Sequence, residues 1–274
     1  MDQGRSPAPS GFDAYAPAEI ASRVESAGVA KVRQLPLTTF TLAVLAGAYI
    51  SFGVVAYTIV VTESALGWGP TRLLGGAAFS LGLVLVIVAG AELFTGNALI
   101  VIGWADRKIR LNELLRNWAI VYAGNFVGAL GTALLVILSG ILELRGGSVG
   151  TEAAAIALGK LQLTPTEAFL RGVLCNVLVC LAVWLSFAAR SLTDKVLAVL
   201  FPISAFVVAG FEHSVANMYA IPVAVLGVLI EPNWPGFFIN LAVVSAGNIL
   251  GGGVLVALVY WTIYIRPGDQ PRPL

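Results

Sequence analysis

This sequence carries little charge for its length. Asp, Glu, Lys and Arg make up 11% of its 274 residues, hydrophobic residues make up 58%, and the mean hydropathy is +0.89. A soluble domain carries about twice that share of charged residues, because charge covers its surface. The shortage excludes an ordinary soluble domain and predicts a surface that faces lipid or other subunits.

Partners and cofactors are limited by further shortages. The net charge is +1, and no stripe of Lys and Arg runs along the chain, which argues against nucleic acid as a partner. The two cysteines, Cys175 and Cys180, lie within one apolar run at a spacing that suits neither a metal site nor a close disulfide. We interpret both as small core residues, and we expect no metal and no other cofactor.

The first 36 residues form a mixed, polar segment. They hold no apolar run of the length of a signal peptide, so no cleavable signal is expected. Residues 19–33 are predicted to form an amphipathic helix. Its apolar side comprises Ile20, Val24, Val29 and Val32.

Six long apolar runs follow this segment. A helix needs about 20 apolar residues to cross about 30 Å of hydrocarbon. The runs are 34–62, 73–105, 117–142, 172–189, 196–230 and 232–265. The sequence therefore predicts an all-α integral membrane protein with six transmembrane helices in a domain that covers residues 37–266.

The second and fifth runs are too long for single spans. As one helix, each would be about 50 Å long, yet each is too short for two spans and a turn. Glu92 interrupts the second run, and Glu212 and His213 interrupt the fifth. We expect two broken helices, each with two half-helices joined by a short loop. Thr95 and Ser214 are the predicted N-caps of the second half-helices.

Basic residues indicate the orientation, because cytoplasmic loops carry an excess of them. One side holds Arg5, Arg23, Lys31, Arg33, Arg107, Lys108, Arg110, Arg116, Arg190, Lys195, Arg266 and Arg272. The other side holds Arg72, Arg145, Lys160 and Arg171. This distribution places the N-terminal segment, 1–36, and a tail, 267–274, in the cytoplasm.

The two broken runs share a motif. Residues 89–97 and 209–217 both follow A-G-x-E-x-x-x-x-N, and residues 124–128 and 247–251 both follow G-N-x-x-G. With three spans in each half, equivalent segments cross in opposite directions, which predicts an inverted 3+3 repeat. Such folds place the substrate path between the halves, and helix N-termini aimed at that path favour an anion.

Ionisable residues at membrane depth are costly and usually face such a path. His213, the single histidine, is therefore interpreted as a pore donor, with a neutral core histidine as the alternative. Glu92 and Glu212 are expected to support the loops, by accepting backbone N–H bonds or by pairing with a cation. Lys160 is the nearest candidate cation, and its alternative is a solvated loop lysine.

Two sets of residues remain ambiguous from the residues alone. Asn176 and Asn248 are amides within apolar spans, where helix-to-helix hydrogen bonding is as common as pore lining. Four others have the composition of ordinary core: Phe79, Leu83, Leu93 and Phe206.

Together these motifs resemble the formate/nitrite transporter family, from about Leu37 to Arg266. The stretches that carry the resemblance are AGAELFTGN (89–97), GVLCNVLVCLAVW (172–184), AGFEHSVANM (209–218) and GNILG (247–251). The resemblance implies an aquaporin-like fold without paired Asn-Pro-Ala motifs. It also implies a homopentamer in lipid, with one pore in each protomer and no enzymatic activity.

The resemblance assigns roles by motif. His213 matches the central pore histidine, Thr95 matches the threonine that faces it, and Lys160 matches a lysine paired with the loop glutamates. The apolar constrictions are matched by Phe79, Leu83, Leu93 and Phe206. Polar residues near the pore are matched by Asn176 and Asn248, and the loops are supported by Glu92, Asn97, Glu212 and Asn217.

The function implied by the resemblance is passive or proton-coupled transport of a small monovalent anion across the bacterial inner membrane. The third span, NWAIVYAGN, looks like the formate-type members, and nitrite and hydrosulfide are the alternatives. An anion in an apolar pore loses its hydration, but formate can cross as neutral formic acid if His213 or water delivers a proton.

Two other classes of function are alternatives. A channel for a neutral solute such as water or glycerol would use the same path. An intramembrane hydrolase would pair His213 with Ser214 or Ser245. That pairing is disfavoured, because adjacent side chains on a helix point about 100° apart and no G-x-S-x-G elbow is present.

Overall fold

The structure is a computed structural model that describes residues 13–266. Residues 1–12 of the predicted N-terminal segment and the predicted tail, 267–274, lie outside the described residues. The helices are α1 (Pro17–Arg33), α2 (Pro36–Val61), α3 (Trp68–Gly90), α4 (Gly96–Ala105), α5 (Leu111–Leu138), α6 (Ser148–Leu161), α7 (Pro165–Ala188), α8 (Leu192–Ala209), α9 (Ser214–Leu226) and α10 (Trp234–Tyr264).

Six of these helices, α2, α3, α5, α7, α8 and α10, are long and apolar enough to cross a membrane. The predicted six spans are thus confirmed, although α5 and α7 begin several residues earlier than predicted. Charged residues at their starts cap the helices instead of excluding them from the spans. At α7, the Thr164 hydroxyl accepts from the Glu167 N–H, and the Glu167 carboxylate accepts from the Thr164 N–H.

Both long runs contain a non-helical segment at the repeated motif. Glycine ends the first half-helix in each, because Gly90 and Gly210 have φ angles of 81° and 71°, in the left-handed region. Non-helical residues follow, including Glu92 and Glu212, before α4 and α9 begin. Each segment therefore places backbone N–H and C=O groups inside the protein, where side chains must bind them.

The half-helices α3 and α8 pack side by side in opposite directions. Arg72, at the start of α3, donates a hydrogen bond to the carbonyl of Val208, at the end of α8. About two turns further along α3, the Ser80 hydroxyl lies 3.4 Å from the Leu200 carbonyl. This antiparallel contact is the geometry that an inverted repeat requires.

The repeat extends beyond the spans. Helix α1 precedes α2 as α6 precedes α7, and a lysine lies in the last turn of each, Lys31 and Lys160. Within residues 13–266, each half therefore contains five of these ten helices, and α1 to α5 correspond in order to α6 to α10. The helix predicted at 19–33 is α1, and its apolar side packs on α4, α7 and α10 of its own chain.

Glycine allows backbones to touch in both halves. A Cβ on Gly128 of α5 would overlap the carbonyl oxygen of Val44 in α2. A Cβ on Gly251 of α10 would likewise overlap the carbonyl oxygen of Val173 in α7. Because a carbonyl within a packed helix cannot move aside, these two positions require glycine.

We expect Gly128→Ala to lower the free energy of unfolding by about 2–3 kcal/mol, since overpacking against backbone forces α2 and α5 apart. A thiol-reactive dye provides the measurement, because Cys175 and Cys180 are buried and become accessible on thermal unfolding. Gly131→Ala in the same helix is the control. A Cβ there meets nothing within 4 Å, so the variant should unfold at or above the wild-type temperature. Equal unfolding temperatures for Gly128→Ala and the wild type would contradict the packing argument.

Candidate functional site

The two broken helices meet at one hydrogen bond between their loops. Thr95 Oγ1 and His213 Nε2 are 2.9 Å apart, and both side chains are buried. Thr95 lies between α3 and α4, and His213 lies between α8 and α9. The structure therefore brings together the two residues that the resemblance pairs.

His213 also caps α9. Its Nδ1 accepts the backbone N–H of Ala216 at 3.1 Å. A nitrogen that accepts carries no proton, so the ring proton is assigned to Nε2, which donates to Thr95 Oγ1. This geometry fits a neutral imidazole with one fixed tautomer.

Of the two predicted N-caps, Thr95 occupies the N-cap position of α4 without a side-chain capping bond, and Ser214 is wrong because His213 is the N-cap of α9. Ser214 is the first residue of α9, and its Oγ has no hydrogen-bond partner among the described residues. Thr95 precedes α4 without capping it, because its hydroxyl is directed at His213. The extended backbone before α9 brings the imidazole, rather than the serine hydroxyl, over the free N–H groups.

The glutamate of the second loop lies in a polar network on the side of α6. Lys160 Nζ lies 3.1 Å from both carboxylate oxygens of Glu212. Asn217 Nδ2 donates to Glu212 and to Asn240 Oδ1, both at 2.8 Å, and Asn240 Nδ2 donates to the Lys160 carbonyl at 3.0 Å. Glu212 is 5% exposed, so this network replaces the water that burial removes.

The first loop has the same network with a different lysine. Lys31 Nζ lies 3.1 Å from the Glu92 carboxylate and 2.8 Å from Asn97 Oδ1. Asn97 Nδ2 donates to Glu92 at 2.7 Å and to Asn117 Oδ1 at 3.0 Å. The expectation that Lys160 serves both loop glutamates is therefore corrected, because α1 supplies the partner of Glu92.

A sequence signal for Lys31 was available. Lys31 to Phe40 and Lys160 to Phe169 both follow K-x4-P-x3-F. The lysine of each pattern lies before the first or the fourth span. A search for repeats that is restricted to the apolar runs therefore misses both lysines. Extending the search by one helix identifies Lys31 as the counterpart of Lys160.

Asn125 and Asn248 hold the two loops in shape in the same way. Each side-chain oxygen accepts the backbone N–H two residues after the loop glutamate. Each amide nitrogen donates to the carbonyl of that glutamate and to a carbonyl of α2 or α7, and all six distances are 2.8–3.0 Å. Asn125 belongs to the repeated G-N-x-x-G motif but was not among the predicted site residues.

Asn176 joins the two halves behind this contact. Its Nδ2 donates to the carbonyls of Thr95, at 3.2 Å, and Asn248, at 2.6 Å. Both Asn176 and Asn248 are fully buried, and neither is among the described residues that line the two cavities below. The structure thus places these amides behind the cavity walls. Backbone groups bind both ends of the Asn248 side chain and the Nδ2 of Asn176, whereas Asn176 Oδ1 has no hydrogen-bond partner among the described residues.

Two cavities approach the Thr95–His213 contact from opposite sides. The outer cavity, on the side of α6, has a volume of about 270 Å³ and is lined by Phe79, Phe206 and His213, among others. The inner cavity, on the side of α1, has a volume of about 360 Å³, and Leu83 and Leu93 line it. The four apolar side chains predicted as constrictions thus divide into one pair in each cavity.

Aromatic contacts fix the outer pair. The rings of Phe79 and Phe206 meet edge to face with centroids 5.4 Å apart. Phe206 also stacks on the imidazole of His213, with centroids 6.2 Å apart. The histidine therefore has an apolar wall on its outer side and a polar partner, Thr95, on its other side.

Positive charge exceeds negative charge around both cavities. Lys31 and Lys195 line the inner cavity with Glu92. The outer cavity is lined by Arg72, Lys160, Arg171 and Glu212. Charged walls of one predominant sign attract an ion of the other sign, so both cavities favour an anion.

Glu152 of α6 adds a titratable carboxyl near the outer cavity, where it interacts electrostatically with Tyr57 of the cavity wall. Burial raises the pKa of Glu152 above its ordinary value. Its negative charge is therefore lost at a higher pH than that of an exposed glutamate, which leaves the cavity more positive as the pH falls.

Comparison with known proteins agrees with this geometry. Residues 18–262 match the family described as formate/nitrite transporter. The chain is 41% identical to the formate channel FocA of Escherichia coli (strain K12), over 94% of this chain and 98% of that protein. A solved structure described as a pentameric formate channel with formate bound is 42% identical, with a TM-score of 0.79 over 84% of this chain and 98% of that one. The aquaglyceroporin from Plasmodium falciparum, 15% identical over 82% of this chain and 99% of that one with a TM-score of 0.50, shares the fold alone.

Proposed function

This chain belongs to the formate/nitrite transporter family, and we propose that each subunit transports formate through its own pore. The observation that carries the proposal is the pair of cavities on opposite sides of the Thr95–His213 contact, each with excess positive charge. His213 lines the outer cavity, and Gly96, next to Thr95, lines the inner one. The formate channel from Escherichia coli and the solved channel with formate bound support formate as the substrate.

The chain is a multi-pass membrane protein with six spans. For this chain we propose the bacterial inner membrane, both termini in the cytoplasm and assembly as a homopentamer. The uneven distribution of basic residues supports the orientation, and the pentameric assembly of the similar solved channel supports the oligomer. In this arrangement residues 37–266 form the pore domain, and α1 lies on the cytoplasmic side.

Lys160 and Lys31 draw the anion into the outer and inner cavities. The pairs Phe79–Phe206 and Leu83–Leu93 then replace its hydration with apolar walls, which favours neutral formic acid over the ion. Between these pairs His213 Nε2–H offers a hydrogen bond to a carboxylate oxygen in place of Thr95.

The hydrogen bond by which His213 caps α9 indicates the source of the proton that neutralises formate. If His213 were an imidazolium, both ring nitrogens would carry hydrogen, and the Ala216 N–H would lose its acceptor. A neutral imidazole is too weak an acid to protonate formate. We therefore assign the proton to hydronium ions in the water of the cavities, which convert formate to formic acid and leave water, and we assign His213 the part of a fixed hydrogen-bond donor.

The hydrolase alternative lacks its geometry. Both ring nitrogens of His213 are engaged, with Ala216 and Thr95. The Ser245 hydroxyl lies 2.9 Å from the Tyr122 hydroxyl instead. Neither Ser214 nor Ser245 is therefore paired with a free general base.

The proposal is tested with purified protein in liposomes. An imposed formate gradient should drive saturable flux that is absent from protein-free vesicles. Nitrite and hydrosulfide gradients, and swelling in water and glycerol, complete the panel. Flux of nitrite or hydrosulfide without flux of formate would show that the substrate is another anion. Swelling without anion flux would show that the protein is a channel for neutral solutes.

A further inference from the structure

One pair of counterpart positions lines both cavities but carries a charge in the outer cavity alone. The Glu212 N–H donates to the Arg171 carbonyl, and the Glu92 N–H donates to the Leu42 carbonyl, both at 3.2 Å. Arg171 and Leu42 are therefore counterparts in the repeat. Arg171 lines the outer cavity and Leu42 lines the inner one, so a guanidinium group on one side corresponds to an apolar side chain on the other.

Arg171 has a second guanidinium group beside it at the end of α8. Arg72 donates to the carbonyls of Val207, at 2.6 Å, and Val208, at 3.1 Å. Arg171 Nη1 lies 3.4 Å from the carbonyl of Gly210. A Cβ on Gly210 would lie 3.4 Å from Arg72 Nη2 and 3.9 Å from Arg171 Nη1, so the two groups converge on this glycine.

These contacts leave donors and charge unused. A guanidinium group has five N–H donors, and the single described contact of Arg171 is long. Within the described part of the chain, neither arginine forms an ion pair with a carboxylate within 4.0 Å. Glu167, one turn before Arg171, attracts it, but the Glu167 carboxylate is hydrogen-bonded to Thr164. The carbonyl end of α8 offsets part of the remaining charge.

We propose that Arg171 and Arg72 form a binding station for small carboxylates in the outer cavity, next to the Lys160–Glu212 pair. A planar guanidinium group binds a carboxylate through two parallel N–H···O bonds, whereas lysine offers a point charge. The cations of the inner cavity wall are lysines, Lys31 and Lys195. The station therefore gives formate a lower half-saturation concentration from the outside than from the inside. This inference rests on the proposed function and adds that the outer side binds formate more tightly than the inner side.

Exchanging the side chains at the counterpart positions, Arg171 and Leu42, tests the predicted difference between external and internal half-saturation concentrations. Arg171→Leu gives the outer position the inner side chain and should raise the half-saturation concentration for external formate about fivefold, with the internal value within twofold of wild type. The fivefold figure corresponds to part of one charge-assisted hydrogen bond at a half-exposed site. Leu42→Arg should lower the internal value. Arg171→Lys keeps the charge but loses the paired donors, so it should lie between the wild type and Arg171→Leu.

A second measurement does not depend on transport. The full-length protein is treated with phenylglyoxal, which modifies arginine, with and without formate, and the modified residues are read by mass spectrometry. Formate should protect Arg171 and Arg72. It should not protect Arg145, an exposed arginine of the outer surface that is paired with Glu63. Chloride at equal ionic strength serves as the anion without two oxygens and should protect less.

The outcomes separate this inference from the proposed function. Normal formate flux with an unprotected Arg171 and an unchanged external value in Arg171→Leu would overturn the station and leave the function intact. Protection of Arg171 without formate flux in the wild type would support the station and overturn the function. Because the protection measurement uses the wild-type chain, its result holds even if Arg171→Leu folds poorly.

Discussion

Replacing His213 with asparagine is expected to lower formate flux about 10- to 100-fold while the protein stays folded. Asparagine is a good N-cap, so its side-chain oxygen can still accept the Ala216 N–H. The variant loses the Nε2–H donor that faces Thr95, and a hydrogen bond to a charged group contributes about 1.5–3 kcal/mol. The measurement is the initial rate of formate flux into liposomes across a range of pH.

The shape of the pH profile tests the source of the proton. If water supplies it, the flux of His213→Asn falls by the same factor at every pH. A profile that changes shape would show that the imidazole itself delivers the proton. His213→Phe removes both the donor and the cap, so its additional loss of stability relative to His213→Asn measures the cap, which we expect to be about 1 kcal/mol.

Lys160→Met is the second change with a large expected effect, because it leaves the carboxylate of Glu212 buried without its cation. The side chains of Lys160 and Glu212 are 16% and 7% exposed. Breaking a buried ion pair on one side costs about 3–5 kcal/mol, and we expect a loss of that size in the free energy of unfolding. Thermal unfolding followed through Cys175 and Cys180 measures it.

A double variant separates stability from transport. Lys160→Met with Glu212→Gln removes both charges but keeps an oxygen for Asn217 Nδ2, so stability should partly return. Flux should stay low, since the ammonium group of the outer cavity is still absent. Lys31→Met is the matched change in the other half and should cost less, because the Lys31 side chain is 31% exposed. A double variant no more stable than Lys160→Met would contradict the assignment of a buried pair.

The features of this structure that the sequence predicts depend on local properties of the chain, such as hydrophobicity and charge. The lengths of the apolar runs predicted the six spans, and two overlong runs with charged residues indicated interrupted helices. The orientation inferred from lysine and arginine stays a prediction. The contact of Thr95 with His213 came from resemblance, since the residues alone allowed a core histidine. What the sequence shows directly is therefore the crossing pattern, while the central pair required a family to compare.

The other features of the site depend on where side chains and backbone groups point in the folded protein, which a sequence pattern does not contain. Whether His213 or Ser214 caps α9 is decided by the path of the extended backbone before the helix. Asn176 and Asn248 have no feature that separates pore lining from bracing until their acceptors are located. Arg171 counted as one more charge on the outer side, and its relation to Leu42 emerged from two equivalent backbone hydrogen bonds.

Lys31, the cation that neutralises Glu92, lies on α1, a helix that precedes the first of the six spans. Detachment of α1 from the helices it packs on would remove the counterion of the buried Glu92 carboxylate. The free energy of attaching this helix therefore includes the free energy of neutralising that charge. Anything that competes for the ammonium of Lys31, including an anion at high concentration in the inner cavity, is thereby linked to the attachment of α1 to the rest of the protein.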